Sequence, residues 1–470
     1  MHTAPMSVAS THDKALRINL DPHLYGAFAE IGAGQEVARW FFIVGGAAGT
    51  VAKSMSAYDM EVSDAVYGAA RRYVSRQRLQ AMLDHEWQLL VERLDTSRGA
   101  STQFFVFADT VAAKSFSRQE EGHGWLGVRF QAAPHTEPSE ILVHARMWDL
   151  ENVRQQEALG ILGVNLLHGA FYDHARPEAL VGSLMDNLTR DRMEVDMIKF
   201  SGPAFAGVDN RIMSVNLVQQ RLTNAALFSP AGDVLEPAEL LHRAPVLIER
   251  GSFRPVTTVT QEMLVRSLER ISREPDMGGR EPVVLMEMTV RNLESLGEQI
   301  DRADFLARVD VLRALGHTVM VTNYSRFHNV TTYLRRYTPG RIGLAVGVPT
   351  LAQIFEERHY ADLPGGLLEA LGRLLAGPVK IYVYPWRNTA TGETVTADNF
   401  VVPTPLRHLH AYLRENGFIE ALNASPDIDL SVMPRRVLAL IQAGDPSWER
   451  FVPPAVIGVI REKRLFGLPA

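Results

Sequence analysis

Cysteine is absent from this chain of 470 residues. That excludes disulfides, thiolate nucleophiles and cysteine-held zinc or iron–sulfur sites, and it fits a reducing compartment. Long apolar runs are missing too. The two longest uncharged stretches, Trp40–Ala52 and Ala158–Phe171, fall short of the ~20 residues a spanning helix needs, so both read as buried core. The opening residues lack a basic stretch followed by an apolar one, and no series of alternating segments suggests a membrane barrel. A cytoplasmic location is expected.

Neither sign of charge is in excess: 48 basic against 54 acidic side chains leave a net charge of -6. Broad nucleic-acid or acidic-membrane binding is therefore not expected, although a local basic pocket is compatible with that balance. The histidines His23, His123, His135, His144, His168 and His174 are scattered without a HExxH spacing, so no protein-held metal site is expected. No GxSxG elbow occurs, and GGAAGTVAKS fails the Walker pattern because Lys53 does not follow a glycine. Close helix packing explains its glycines as well as ligand binding does. What remains is an ordinary globular composition, 46% apolar and 22% charged, long enough for two or three domains.

The patterning predicts an α/β protein: a mixed α+β N-terminal region, then a Rossmann-like, largely parallel α/β domain and a helical C-terminal tail. Residues 1–100 read as helix-rich, with FAEIGAGQEVARWFF as a loop-to-helix entry and a long amphipathic helix from about Ser75 to Leu94. Glu30, Glu36 and Arg39 are candidates for a polar network there. Residues 101–244 read as mixed α+β, with strands at QFFVFADTVAA, GWLGVRFQ, EILVHARMWD, MEVDMIKF and RIMSVNLV. Over 245–402 the runs PVLIER, PVVLMEMTV, HTVMVTNY, RIGLAVGV and VKIYVYPW alternate with helix-length segments, the rhythm of a parallel sheet with right-handed crossovers. Residues 403–470 read as a helical appendage or subunit contact, whose segment WERFVPPAVIGVIREKRLF could cover a neighbour.

One segment joins strand, glycine turn and helix: VLIER, Gly251, Ser252, Phe253, Arg254, Pro255, Val256, Thr257, then TVTQEMLVRSL. A helix N-terminus presents unpaired amides, so such an entry is a natural phosphate seat that Arg254 could reinforce. A purely structural turn is the alternative. The segment resembles the G-S-F-D-P-V-T-x-G-H signature of the adenylyltransferase superfamily, which includes nicotinate-nucleotide and phosphopantetheine adenylyltransferases. Arg254, Val259 and Thr260 stand where that signature has aspartate, glycine and its final histidine, so the roles of those residues do not carry over. FAEIGAGQEVARWFF, GGAAGTVAKS and RGSFRPVT also resemble a bacterial family whose members carry nicotinate-nucleotide adenylyltransferase or TonB-dependent receptor labels. The absent signal and barrel patterns speak against the receptor.

Parallel strands would bring their carboxyl ends to one rim, carrying Ser252, Arg254, Thr289, Arg291, residues 323–326, His328, Trp386 and Arg387. Arginines among small hydroxyl residues suit a phosphate or carboxylate, though each could equally pair with a neighbouring carboxylate. The expected ligand is a phosphorylated small molecule or nucleotide, bound by Gly251, Ser252, Thr257, Arg291 and Arg326. Nucleotidyl transfer of the nicotinate-nucleotide adenylyltransferase type is the first reaction to test. Arg254 would stabilise charge, His328 would act as acid or base unless it merely caps its helix, and Mg2+ would arrive with the nucleotide. The alternative is a non-catalytic structural or self-assembling protein. A homo-oligomer is expected in either case.

Overall fold

The computed structural model describes residues 8–114, 121–293 and 300–469. The chain divides into two compact units, Met1–Asn224 and Ala225–Ala470. No helix among the described residues is long and apolar enough to cross a membrane.

The first unit holds six strands: β1 (Leu24–Gly32), β2 (Val51–Ala57), β3 (Gln103–Ala112), β4 (Gly122–Phe130), β5 (Ser139–Met147) and β6 (Met193–Ser201). They lie in the order β2-β1-β3-β4-β5-β6, with β1 parallel to β2 and β3, and β3 to β6 antiparallel. The region expected to be helix-rich thus also contributes β1 and β2, because FAEIG continues a buried extended run from Leu24. The helix Arg76–Leu94 forms as expected. Ser75 caps it by accepting from the Arg78 amide at 3.2 Å, and Leu79, Met82, Leu83 and Leu90 form its buried stripe.

Two expectations fail in this unit. RIMSVNLV is a helix, Asn210–Gln219, rather than a strand: the Asp209 carboxylate accepts from the Arg211 amide at 2.9 Å and starts a helical turn that an apolar run alone does not reveal. The stretch Trp40–Ala52 is not core throughout. It opens in the helix Val37–Val44, where Phe41 is buried while Phe42 and Ile43 face outwards, since so short a helix buries only one stripe.

The second unit is built on β7 (Ala225–Phe228), β8 (Val234–Leu235), β9 (Val246–Arg250), β10 (Val283–Thr289), β11 (Thr318–Thr322), β12 (Ile342–Gly347) and β13 (Val379–Tyr384). A small hairpin, β14 (Trp386–Arg387) with β15 (Thr394–Val395), precedes the last strand, β16 (Ile419–Ala421). The sheet order is β16-β13-β12-β9-β10-β11-β7-β8, with β9 to β13 and β16 all parallel and β7 and β8 antiparallel at one edge. Numbered along the chain, the six parallel strands therefore lie 3-2-1-4-5-6, the order of a Rossmann sheet. Strand order reverses between β9 and β12, and in such sheets the crevice outside the carboxyl ends at that point is where ligands bind.

All five β-rich runs noted in 245–402 are strands, and the helices between them include Thr258–Ile271, Arg302–Ala314, Phe327–Arg335 and Gly366–Leu374. On one face, Val246, Ile248, Leu285, Ile342, Leu344 and Ile381 pack under the helices Phe327–Arg335 and Gly366–Leu374. The tail carries the helices Arg407–Glu415, Pro434–Gln442 and Pro454–Lys463, and it also supplies β16 to the sheet. In WERFVPPAVIGVIREKRLF, Trp448, Val452, Val456, Ile460 and Phe466 are buried, while Phe451, Ile457, Val459 and Leu465 are half-buried.

Candidate functional site

A cleft of about 710 Å³ opens at the carboxyl ends of β9 to β12, where the strand order reverses. That is within the ~300–1,000 Å³ usual for a small-molecule site. Arg250 and Gly251 reach it from β9, Thr289, Arg291 and Asn292 from β10, and Ser325, Arg326 and Phe327 from β11. Thr350, Gln353 and Ile354 come from the helix after β12, and the turn that follows adds Arg358, His359 and Tyr360. Four arginines line the cleft, and none of its described lining residues is a carboxylate.

Arg250 anchors the floor. Its guanidinium grips both oxygens of Glu287 at 2.7 Å, donates to the carbonyls of Tyr324 and Ser325, and lies 4.2 Å from the Phe327 ring centre. Thr322 donates to the same carboxylate at 2.6 Å, so one buried ion pair ties the ends of β9, β10 and β11 together. Glu287 is 0% exposed, and the bidentate pairing compensates for its removal from water.

The other three arginines differ in how far they are engaged. Arg326 pairs with Asp362 at 2.6 and 3.0 Å, which holds that exposed carboxyl below its ordinary range. Arg358 is exposed and stands 3.4 Å from Glu356. Arg291 is exposed and makes no ion pair among the described residues.

The residues expected from sequence separate into two groups. Gly251, Arg291 and Arg326 meet in the cleft; Ser252, Arg254, Thr257 and His328 are not part of its lining. Arg254 turns to Asp304 at 2.5 Å, a carboxylate that also holds Arg308. Arg308 in turn donates to the carbonyls of Ser252 and Asn292, at 3.3 and 3.0 Å, and so clamps the 251–257 loop to the helix Arg302–Ala314.

The Thr257 hydroxyl is committed to the N-terminus of Thr258–Ile271, accepting from the Thr260 amide at 3.3 Å. Phe253 adopts a φ of 49° and folds its ring over Gly251, where a Cβ would approach the ring within 2.8 Å. His328 lies in the first turn of its helix at 3% exposure, with its Nδ1 unpartnered. Burial, then the nearby Arg326 charge, lowers its pKa and keeps it neutral.

Sequence reasoning passed over Arg250, Arg308 and Arg358. Arg250 had a legible signal as the polar end of an apolar strand directly before a glycine turn. Arg358 had none, because only the path of the turn after β12 brings it round. None of the described lining residues is a carboxylate, so among them Mg2+ finds no anionic protein ligand and would be held by the ligand's own phosphates.

No family model matches the chain, and no curated protein matches it. Among solved structures, the competence/damage inducible protein CihA from Agrobacterium tumefaciens aligns over 34% of this chain and 97% of its own, at 18% identity and a TM-score of 0.25. The competence or damage-inducible protein from Enterobacter asburiae aligns over 34% and 98%, at 12% identity and a TM-score of 0.25. Similarity at that level decides neither fold nor function.

Proposed function

We propose that the Ala225–Ala470 unit binds a phosphorylated small molecule or nucleotide in the cleft at the carboxyl ends of β9 to β12. The observation that carries this reading is the convergence of four arginines, with no carboxylate among the described lining residues, at the reversal point of a Rossmann-ordered sheet. Guanidinium groups present paired donors in a plane that matches phosphate oxygens. Arg291 is available as it stands, and Arg326 becomes available when a ligand anion displaces the exposed Asp362.

Binding is the part the geometry supports. Nucleotidyl transfer has less behind it, since Arg254 is engaged by Asp304 and His328 is buried and neutral. The test is thermal denaturation of the full chain against a panel of phosphorylated metabolites and nucleotides. At least one compound should raise the midpoint, and Arg291→Ala together with Arg326→Ala should abolish the rise. A panel without any shift would remove the reading.

A further inference from the structure

The cleft provides for an anion but for little of what recognises a nucleoside. Base stacking needs a free aromatic face. The two benzenoid rings of the lining, Phe327 and Tyr360, are only 8% and 5% exposed. Each also has a guanidinium beside it: Arg250 lies 4.2 Å from the Phe327 ring centre and Arg326 5.7 Å from that of Tyr360. The exposed ring at the cleft, His359, is a small imidazole held at its edge, with its Nδ1 3.2 Å from the Gln353 carbonyl and its faces free.

The ribose diol fares no better. In Rossmann sites a carboxylate beyond the second strand holds it, whereas here the second parallel strand, β10, ends at Thr289 and none of the described lining residues of the cleft is a carboxylate. The glycine turn that would seat a pyrophosphate is partly taken up by the protein itself: the Phe253 ring folds over Gly251, and the Thr257 hydroxyl accepts from the Thr260 amide of the helix behind it. The remaining lining is rich in hydroxyl and amide groups: Thr289, Asn292, Ser325, Thr350 and Gln353. Such groups exchange hydrogen bonds with a ligand's hydroxyls in either direction.

We infer that the cleft recognises its ligand through the phosphate and hydroxyls of a phosphorylated sugar or polyol and gives a nucleotide's base no contact. The phosphate binds Arg291 and Arg326, and the carbon chain's hydroxyls lie along the threonine, serine and amide side chains. This inference rests on the anion-binding reading above and narrows it.

Ribose 5-phosphate and AMP make a matched pair of probes, since AMP adds only the base. Titration calorimetry on the full chain would compare these two with orthophosphate, ribose and adenosine. Ribose 5-phosphate is expected to bind within about threefold of AMP and at least about tenfold more tightly than orthophosphate, with ribose and adenosine undetected. Arg291→Ala is expected to weaken both phosphorylated ligands by about tenfold. Arg326→Gln should weaken them in the same direction, and the melting temperature of each variant checks that it is folded.

AMP binding more than about threefold tighter than ribose 5-phosphate would show a base contact and overturn the inference while leaving anion binding intact. Orthophosphate binding as tightly as ribose 5-phosphate would do the same, because the sugar would contribute nothing. If no phosphorylated probe binds, the proposed function falls as well.

Discussion

Two buried carboxylate sites, one in each unit, are met in opposite ways. In the second, Glu287 lies fully buried at the centre of the sheet and is met by the Arg250 fork and the Thr322 hydroxyl. In the first, Glu30 and Asp109 stand opposite each other on β1 and β3, both buried, with no cation to meet them in the bonding described. Glu30 instead accepts from the Val37 and Ala38 amides at 2.8 and 3.3 Å, the start of the helix Val37–Val44, and both Asp109 carboxylate oxygens lack a hydrogen-bond partner. The sequence suggested Glu30 as part of a network with Glu36 and Arg39; those two pair with each other at 3.1 Å. A paired interior charge makes a rigid floor under an anion site, whereas unpaired carboxyls stay buried by holding protons.

The largest expected effect breaks the paired side. Arg250→Ala should leave Glu287 buried and uncompensated, costing on the order of 3–5 kcal/mol in urea unfolding, while Arg250→Met with Glu287→Leu should recover much of that loss. Equal instability of the double variant would contradict the pairing account.

Next comes the unpaired side. Burial raises the Glu30 pKa to about 7, with the Glu36 charge adding in the same sense, and raises that of Asp109 well above the usual range, with Glu30 contributing. With a folded pKa above the unfolded one, the native state binds more protons between the two values, so stability falls as pH rises. From pH 4.5 to about 7 the Glu30 contribution should decline by on the order of 2–3 kcal/mol. Glu30→Gln should flatten that slope in urea titrations at successive pH values; an unchanged slope would sink the assignment.

Smaller effects sharpen the account of the cleft. Arg291→Ala should weaken anion binding by about 1.4 kcal/mol with stability within ~0.5 kcal/mol of the parent, because the side chain is exposed and makes no ion pair among the described residues. Thr257→Ala should cost about 1 kcal/mol of stability through the lost cap and leave affinity unchanged. A loss of affinity in that variant would return the helix terminus to the binding site.

The local signals that proved legible share a cause. Runs such as VVLMEMTV are apolar at nearly every position, as a strand covered on both faces must be, and Gly316 and Gly377 take the positive φ that ends the preceding helices. Arg291 and Arg326 could be placed at the rim because each follows such a strand within a few residues. Arg254 shows the limit of that reasoning: it follows a strand just as closely, yet Asp304, fifty residues later, draws it aside. RIMSVNLV shows the same limit in the first unit, where a cap outweighed an apolar run.

Periodicity and turn residues, which act over a few neighbours, thus sufficed for most of the elements of the second unit, the parallel character of its sheet and the cationic bias of its rim. Strand order was decided only when the chain folded, and with it the meeting of Arg250, Arg291, Arg326 and Arg358 around one cleft. Which guanidinium pairs with a carboxylate and which is left for a ligand depends on distances between residues far apart in the chain. No local pattern encodes them.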